Sequence, residues 1–314
     1  MWKIIRLSLL LLCFLILFVL SAFANAYGKV VFLEWDNNGC QIATMNPDGT
    51  DVRILTERVG NYEHPRWSPD GKKIAYNELD VENEAYNLWI INSDGYSPEL
   101  ISNSAYWGAS WSPDGKKIAF MSIIERAIMI MDLQTRETSQ LVEGGVPVWS
   151  PDGKNIAYRP FKLPDDILYF INPVTGEKKN IDLTKKGIQI LHKSYSPIAW
   201  SPDGKKIAFF GEENVRNLSG IYIMDSDGTS VISKYIGNSN VWIAKYPTWS
   251  PDGKQIMFDT PKGIEKMDID GEVSTLVYDN GSYPDWQNSP NAPVTPQEKA
   301  STTWGHVKYD SLKK

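Results

Sequence analysis

The sequence is poor in the residues from which disulfides and metal sites are built. It has two cysteines and three histidines among 314 residues. Only Cys40 lies beyond the first 26 residues, so no disulfide can form within the rest of the chain. The histidines His64, His192 and His306 belong to no His-Glu-x-x-His motif, and we expect no bound metal and no cofactor. Packing must therefore hold the fold together.

Motifs of covalent catalysis and phosphate binding are missing too. A serine nucleophile elbow needs Gly-x-Ser-x-Gly, and the nearest match, Gly237-Asn238-Ser239, lacks the second glycine. No glycine-rich phosphate loop occurs. Two Asp-x-Asp-Gly runs begin at Asp225 and Asp268, but they lack the further ligands of a calcium loop in register. We therefore assign no catalytic residue and no bond-breaking step.

An excess of basic residues is also absent. The chain carries 32 lysines and arginines against 38 aspartates and glutamates, a net charge of −6. Residues 1–26 contribute Lys3 and Arg6 and no acidic residue, so the remainder has a net charge of −8. A field of this sign repels phosphate backbones, and we expect no nucleic-acid partner.

Residues 1–26 differ from the rest of the chain in composition. Lys3 and Arg6 precede an apolar run over residues 7–20, in which Ser8 is the one polar residue, and Ala24-Asn25-Ala26 follows as a small-x-small cleavage site. This pattern predicts a cleaved signal peptide, which places the mature protein in the periplasm or outside the cell, with no membrane insertion after cleavage. The alternative is a retained membrane anchor, because about 18 apolar residues can span a bilayer.

One phrase, Trp-Ser-Pro-Asp-Gly, dominates the remaining sequence. It begins at tryptophans 67, 111, 149, 200 and 249, and a degenerate copy, Pro284-Asp285-Trp286, follows. The six tryptophans are 44, 38, 51, 49 and 37 residues apart. Periods near 40 to 50 residues with strand-like content are typical of β-propellers.

Each repeat contains four strand signals, which predicts an all-β, six-bladed propeller over residues 27–290. In the Ser-Pro-Asp-Gly turn, proline presets the second turn position and glycine accepts the positive φ that closes the hairpin. The first predicted b strand, residues 30–33, has no such turn before it, and the last a strand, residues 283–286, has no blade after it. We expect this last strand to complete the first four-stranded antiparallel blade, which removes free sheet edges.

Two phrases carry a resemblance to a known family. Residues 111–120, Trp-Ser-Pro-Asp-Gly-Lys-Lys-Ile-Ala-Phe, and residues 221–228, Ile-Tyr-Ile-Met-Asp-Ser-Asp-Gly, resemble the TolB-type propeller repeat, a relative of WD repeats. The resemblance implies the fold of residues 27–290 and no particular function, because the matching residues are turns and core. TolB proteins carry an α/β domain before the propeller, and we expect none here, since the strand pattern starts at Lys29.

Residues 291–314 are predicted to form a linker and a tail. Prolines 290, 293 and 296 indicate a linker. Trp304, Val307 and Tyr309 form a short apolar set that docks on the propeller or on a partner, and disorder of the segment is the alternative.

The predicted binding surface follows from the topology of a four-stranded meander. The short Asp-Gly turns share one face, and the longer b-c and d-a connections share the opposite, long-loop face, where variable loops on a rigid scaffold carry function. Aromatic and polar residues in the d-a connections are expected around the mouth of the central channel. The predicted binding residues are His64, Arg66, Tyr106, Trp107, Tyr195, Trp242, Tyr246 and Tyr283. The alternative for each aromatic is packing between adjacent blades.

These patterns predict an exported, monomeric, non-catalytic binding or scaffold protein that docks a protein, peptide or glycan over the channel. Acidic residues predicted in the b-c loops, among them Glu78, Asp80, Glu212 and Glu213, are solvated loop charges or contacts for a cationic partner. The second hypothesis is a hydrolase or lyase acting on an envelope or extracellular polysaccharide. It predicts that Arg66, Asp285 and either Arg159 or Glu63 converge at the channel mouth.

Overall fold

The computed structural model describes residues 28–81, 85–161, 167–190, 197–213, 218–238 and 244–287. Within these ranges the chain forms 25 β-strands and one short 3-10 helix, Thr184–Lys186. Across the same ranges, no helix is long and apolar enough to cross a bilayer. The predicted signal peptide, 1–26, and the predicted tail, 291–314, lie outside the described residues.

The strands form six small antiparallel sheets, which are the six blades of a propeller. Strands are numbered in chain order, and the innermost strand of each blade faces the central channel. Blade 1 contains β1 (Val30–Asp36), β2 (Gly39–Met45), β3 (Arg53–Ile54) and, innermost, β25 (Gly281–Trp286). Blade 2 contains β4 (Tyr62–Trp67), β5 (Lys73–Asp80), β6 (Ala85–Asn92) and β7 (Glu99–Ser102). Blade 3 contains β8 (Ala105–Trp111), β9 (Lys117–Ser122), β10 (Ala127–Asp132) and β11 (Thr138–Glu143).

The other three blades follow the same order, with one modification in blade 5. Blade 4 contains β12 (Gly145–Trp149), β13 (Ile156–Arg159), β14 (Ile167–Ile171) and β15 (Lys178–Asp182). Blade 5 contains β16 (Ile188–Ile190), β17 (Ala199–Trp200), β18 (Lys206–Glu213), β19 (Leu218–Asp225) and β20 (Val231–Asn238). Blade 6 contains β21 (Lys245–Trp249), β22 (Gln255–Thr260), β23 (Gly263–Asp268) and β24 (Ser274–Tyr278).

The predicted closure of the ring is confirmed. Strand β25 pairs with β1 in an antiparallel register that joins Trp286 to Val30 and Ser282 to Leu33. The pairing continues just beyond the strands, where the Gln287 N–H donates to the Lys29 carbonyl at 2.8 Å. The two ends of the described chain therefore lie side by side in blade 1.

Hydrogen bonds explain the letters of the repeated turn. In blade 3 the Ser112 Oγ donates to Asp114 Oδ1 at 2.7 Å and accepts from the Lys117 N–H at 2.9 Å, while Asp114 Oδ1 also accepts from the Lys116 N–H at 3.1 Å. Gly115 has a left-handed φ of 69° and donates its N–H to the Ser112 carbonyl. The hydrogen bond from Ser112 is the main cause that holds the pKa of Asp114 below its usual value.

Two parts of the structure differ from the strand pattern expected from the sequence. The innermost strand of blade 5 is in two pieces, since β16 and β17 both pair with the long β18. Glu78 and Asp80 lie in β5, and Glu212 and Glu213 lie in β18, so these four residues belong to extended hairpins and not to loops. The prediction that they are loop residues was therefore wrong, because the strands continue past the point where the hydrophobic alternation ends.

Candidate functional site

The six innermost strands surround a channel with a cavity of about 320 Å³. Every blade contributes the residue that directly precedes its repeat tryptophan. These six channel residues are Arg66, Ser110, Val148, Ala199, Thr248 and Asp285. Because the blades are repeats, the six positions are equivalent, and their side chains can be compared directly.

A β-bulge recurs three residues before the tryptophan in five of the six blades, whereas blade 5 has Pro197 at this position, outside β16 and β17. The bulge residue has a left-handed backbone in each case. These residues are His64 (φ 51°), Gly108 (82°), Val146 (55°), Tyr246 (51°) and Tyr283 (54°). Four of the five are not glycine, and such strain costs about 1–3 kcal/mol per residue and is often found at binding sites.

Proline follows the bulge residue in four blades. Pro65, Pro147, Pro247 and Pro284 lie on innermost strands, which have a pairing partner on one side only. Proline has no N–H, so it leaves no unpaired donor on the open edge of such a strand. The four prolines are therefore compatible with the unpaired strand edge that faces the channel.

Neighbouring blades are joined by a hydrogen bond that recurs around the ring. The channel residue of one blade accepts the backbone N–H of the tryptophan in the next blade at three junctions. The pairs are Trp149 with Ser110 Oγ at 2.9 Å, Trp286 with Thr248 Oγ1 at 3.0 Å and Trp67 with Asp285 Oδ2 at 2.8 Å. At two other junctions the indole N–H bonds to the carbonyl of the channel residue, from Trp111 to Arg66 at 3.3 Å and from Trp249 to Ala199 at 3.0 Å.

Arg66 and Asp285 are the charged members of the six channel positions. Arg66 Nη1 lies 3.7 Å from Asp285 Oδ1, and the two side chains are 18% and 19% exposed. Burial raises the pKa of Asp285 above its usual value, although the Arg66 charge acts in the opposite direction. The pair therefore places opposite charges side by side in a largely desolvated wall.

An aromatic cluster adjoins this pair at the bulges of blades 2, 6 and 1. The His64 ring lies edge-on to Tyr246 at 5.5 Å and to Tyr283 at 4.8 Å between centroids, and the two tyrosine rings stack at 4.1 Å. Burial lowers the pKa of His64 to about 3, and the Arg66 charge contributes, so the imidazole is neutral near pH 7. Burial likewise raises the pKa of Tyr283 to about 12.

Further ionisable groups lie next to the aromatic cluster. Asp259 Oδ2 accepts from the Tyr283 N–H at 3.4 Å, and burial raises the pKa of Asp259 to about 6. Burial also raises the pKa of Glu63, whose carboxylate lies 3.9 Å from His64 Nε2, and lowers the pKa of Lys245. We call this part of blades 6, 1 and 2 the polar quadrant; its ionisable residues are Arg66, Asp285, Asp259, Glu63 and Lys245.

The opposite side of the channel has a different character. Blades 4 and 5 contribute aliphatic side chains, namely Val146, Val148, Ile198 and Ala199. In a ring of six, blade 1 faces blade 4 and blade 2 faces blade 5, so this aliphatic wall lies across the channel from Arg66 and Asp285. The channel is therefore polar on one side and apolar on the other.

The structure brings together some of the eight predicted binding residues. His64 and Arg66 line the channel, and Tyr246 and Tyr283 contact the His64 ring. His64 and Tyr246 are only 4% and 6% exposed, so their rings lie mainly between strands. Tyr106 packs against the Tyr86 ring with a centroid distance of 4.0 Å.

The other predicted residues are less completely described. Trp107 lies in β8, but its side chain is not described, and Tyr195 and Trp242 lie outside the described residues. Sequence reasoning missed Asp259 and the aliphatic wall. Aligning the six residues that precede the tryptophans would have revealed the wall. Asp259 has no such signal, because the equivalent strand positions of other blades carry unlike residues, such as Asn77, Met121 and Arg159.

Metal binding has no support in the part of the chain that the structure describes. No group of three or more histidine, cysteine, aspartate or glutamate side chains is placed there so that it could hold an ion. The arrangement can instead offer hydrogen-bond donors and acceptors from one side of a narrow channel and aliphatic contact from the other.

Comparisons with known proteins identify the fold. No family model matches the sequence, and no curated protein matches it. TolB from Acinetobacter baumannii is similar in structure, with a TM-score of 0.66 and 21% identity over 83% of this chain, and the match spans 66% of that protein. An oligogalacturonate lyase in complex with manganese has a TM-score of 0.56 and 15% identity over 80% of this chain and 74% of the lyase.

A third similar structure comes from a protein complex. The nidogen/laminin complex contains a chain with a TM-score of 0.59 and 8% identity, matched over 83% of this chain and 99% of that one. Identities at these levels show a shared fold, and they do not assign the activities of those proteins to this chain. The protein is a six-bladed β-propeller, and its fold is similar to that of the TolB structures.

Proposed function

We propose that the protein is an exported, non-catalytic binding or scaffold module that docks a protein, peptide or glycan on its long-loop face, over the central channel. The observation that carries the proposal is the two-sided channel, in which the charged groups of the described lining, Arg66 and Asp285, lie in the polar quadrant and the facing wall is aliphatic. Similar propellers in TolB and in the nidogen/laminin complex are consistent with such a role.

Strained backbone at the channel mouth supports the same proposal. The bulge residues precede the channel residues in each innermost strand, which places them toward the long-loop face. Non-glycine residues in left-handed conformations at equivalent points of several blades reduce stability, and strain of this kind is concentrated at ligand sites. We expect the eight predicted residues, including Trp107, Tyr195 and Trp242, to contribute to the docking surface.

The proposal is tested by blocking the channel. The variant Ala199→Phe adds a ring at a channel position whose carbonyl, which accepts from Trp249, is unchanged. Affinity capture from envelope extract should lose the partner with this variant and keep it with Val174→Phe, which alters a residue 91% exposed in a turn. Equal capture by both variants would exclude the channel as the docking site.

Export is proposed on the basis of the N-terminal sequence. The charged residues, apolar run and small-x-small site of residues 1–26 favour a cleaved signal peptide and a periplasmic or secreted, monomeric protein. N-terminal sequencing of exported material should begin near Tyr27. A chain that keeps Met1 and fractionates with membranes would support the anchor instead.

A polysaccharide hydrolase or lyase is the second candidate, favoured by one observation. Asp259, with its pKa raised to about 6, lies in the same quadrant as Arg66 and Asp285, and groups with shifted pKa values are typical of acid-base sites. Among the residues that this hypothesis predicts to converge, Arg66 Nη1 and Asp285 Oδ1 lie 3.7 Å apart. The two side chains form an ion pair, but the distance is too long for a hydrogen bond. Release of unsaturated or reducing sugar from pectate, lost in Asp259→Asn, would establish the enzyme.

A further inference from the structure

The repeat provides an internal comparison for the charged pair. Accepting the tryptophan N–H of the next blade is a structural task, and hydroxyl groups perform it at two junctions, through Ser110 and Thr248. Blade 1 uses the carboxylate of Asp285 for the same hydrogen bond. A hydroxyl would therefore suffice at this position, and the blade junction does not explain the charge.

Burial makes the charge unfavourable for stability. The side chains of Arg66 and Asp285 are more than four-fifths buried. Replacing a buried ion pair with well-packed apolar side chains of similar volume is often neutral or stabilising, because desolvation offsets the attraction between the charges. The channel position of blade 3, Ser110, shows that a small neutral residue fits the fold. The pair thus needs an explanation other than stability.

The pair keeps unused hydrogen-bonding capacity on the channel wall. Among the described residues, the Arg66 guanidinium has one weak hydrogen bond, from Nη1 to the Pro65 carbonyl at 3.4 Å, besides its ion pair. Asp285 Oδ2 accepts from Trp67, whereas Oδ1 receives only the 3.7 Å approach of Arg66. Both residues line the cavity. Donors of Arg66 and an acceptor of Asp285 are therefore available next to each other.

Charge balance restricts what this pair can bind. The guanidinium and the carboxylate compensate each other, and His64 beside them is neutral. An ionised ligand, whether anion or cation, would leave one net charge buried in the channel, which is unfavourable. An uncharged group with a hydrogen-bond acceptor next to a donor fits both partners, and a peptide or side-chain amide is such a group.

The remaining walls favour a polypeptide over a sugar. Sugars are usually bound against exposed aromatic faces, but the tryptophans beside the pair, Trp67 and Trp286, are at most 7% exposed. The partly exposed repeat tryptophans, Trp149 and Trp200, lie in blades 4 and 5, across the channel from the pair. Across the channel lie the aliphatic residues Val146, Val148 and Ile198, which suit an aliphatic side chain. A peptide segment can present an amide to one wall and such a side chain to the other.

We propose that Arg66 and Asp285 form the recognition element of the channel and bind one amide group of an uncharged polypeptide segment, with Arg66 donating to its carbonyl and Asp285 accepting from its N–H. This inference rests on the proposed docking function and specifies the ligand for that site. It also assigns the ion pair to binding and not to the joining of blades.

The first test uses the wild-type protein and a small probe. The protein is titrated with N-methylacetamide while the NMR signals of the Arg66 Nε–H and the Trp67 backbone N–H are monitored. Both signals should shift saturably. Acetate, methylammonium and cellobiose at equal concentration and pH 7 should shift them little. Saturable shifts with acetate or cellobiose and none with N-methylacetamide would overturn the assignment, and would indicate a carboxylate or sugar ligand.

The second test separates binding from stability. The double variant Arg66→Ser/Asp285→Ser keeps a hydroxyl acceptor for Trp67 and removes both charges. It should melt at a temperature equal to or above that of the wild type and lose the saturable shift of the Trp67 N–H. The matched control, Ser112→Ala, lies in a turn outside the channel and should melt lower but keep the shift. A double variant that melts well below the wild type, or that binds the probe equally, would show that the pair is structural.

Capture experiments distinguish failure of this inference from failure of the proposed function. If wild-type protein and the double variant capture the same polypeptide equally, the assignment of the pair is wrong and the docking function stands. If the wild type captures no polypeptide and the probe shifts no signal, both are wrong.

Discussion

Backbone conformation decides which side chains are tolerated at the channel mouth. The residue three before the tryptophan is left-handed in the five blades that have the bulge, yet only blade 3 uses glycine there, at Gly108. A Cβ built on Gly108 would lie 3.2 Å from the Cβ of His64. The glycine therefore has two roles: it accepts φ of 82° and it leaves room for the histidine.

We expect Gly108→Ala to destabilise the protein by about 1–2 kcal/mol, because strain and crowding of His64 add. Gly176→Ala is the control: Gly176 has φ of 72°, but nothing lies within 4 Å of the added methyl group. Urea unfolding of both variants measures the difference. A loss in Gly108→Ala no larger than in the control would mean that contact with His64 is unimportant.

Asp259 gives a prediction with a definite sign. Its pKa in the folded protein is about 6, above the value of 3.8 for an unperturbed aspartate, because the side chain is buried. The folded state therefore binds more protons between about pH 4 and 6, and this contribution to stability is complete below pH 4 and lost as the pH rises through 6.

The titration of Asp259 can be measured by NMR, and the wild type should gain stability relative to Asp259→Asn as the pH is lowered from 7 to 4. The asparagine variant serves as the reference because it cannot titrate. A carboxyl that titrates near 4, or a stability difference independent of pH, would contradict the prediction.

At the scale of elements, the turn is the part of the fold most completely encoded by local sequence. Serine, aspartate and glycine each make a hydrogen bond or adopt a dihedral angle that few other residues could supply, as Ser112, Asp114 and Gly115 show. The blades, their number and the closure by β25 could therefore be predicted. The ends of the strands could not be predicted, since the hairpin of β5 and β6 continues through polar residues whose pairing depends on the neighbouring strand.

The same limit applies to the candidate site. His64 and Arg66 were predicted because they lie at the start of an innermost strand, whereas the approach of Arg66 to Asp285 was expected only under the enzyme hypothesis, since it joins residues far apart in the chain. Only the closed ring brings them together. Local patterns predict which residues face the channel, and tertiary packing decides which of them become neighbours.

We expect Ser112→Ala to lower the free energy of unfolding by about 1–2 kcal/mol, since it removes the hydrogen bonds to Asp114 and from Lys117. The matched control is Ser226→Ala, a serine in the turn after β19 whose side chain makes no hydrogen bond to any of the described residues. Its effect should be within about 0.5 kcal/mol. Equal losses in both variants would show that the turn network adds no stability.

At the scale of the whole molecule, stability depends on the single seam in blade 1. Every other blade is built from consecutive strands, but blade 1 needs β25 to cover β1, whose residues Val30 to Leu33 are fully buried. Without β25, blade 1 would expose an apolar strand with an unpaired edge, which favours aggregation.

A chain ending at Asn280 should therefore lose cooperative unfolding and elute as aggregates in size-exclusion chromatography. A chain ending at Gln287, which keeps β25 and its bonds to β1, is the control and should remain folded. Cooperative, monomeric behaviour of the shorter chain would show that the other five blades are stable without the seam.

The side-by-side position of Gly28 and Gln287 also determines how the molecule can be tethered. Both lie where the other blades have their Ser-Pro-Asp-Gly turn, at the end of the channel away from the bulges. A sensor chip, bead or fluorescent protein attached directly at Gly28 or Gln287 would thus be held behind the propeller. Immobilisation by one end or the other should present the same open mouth to the solution, so binding kinetics measured in the two orientations should agree.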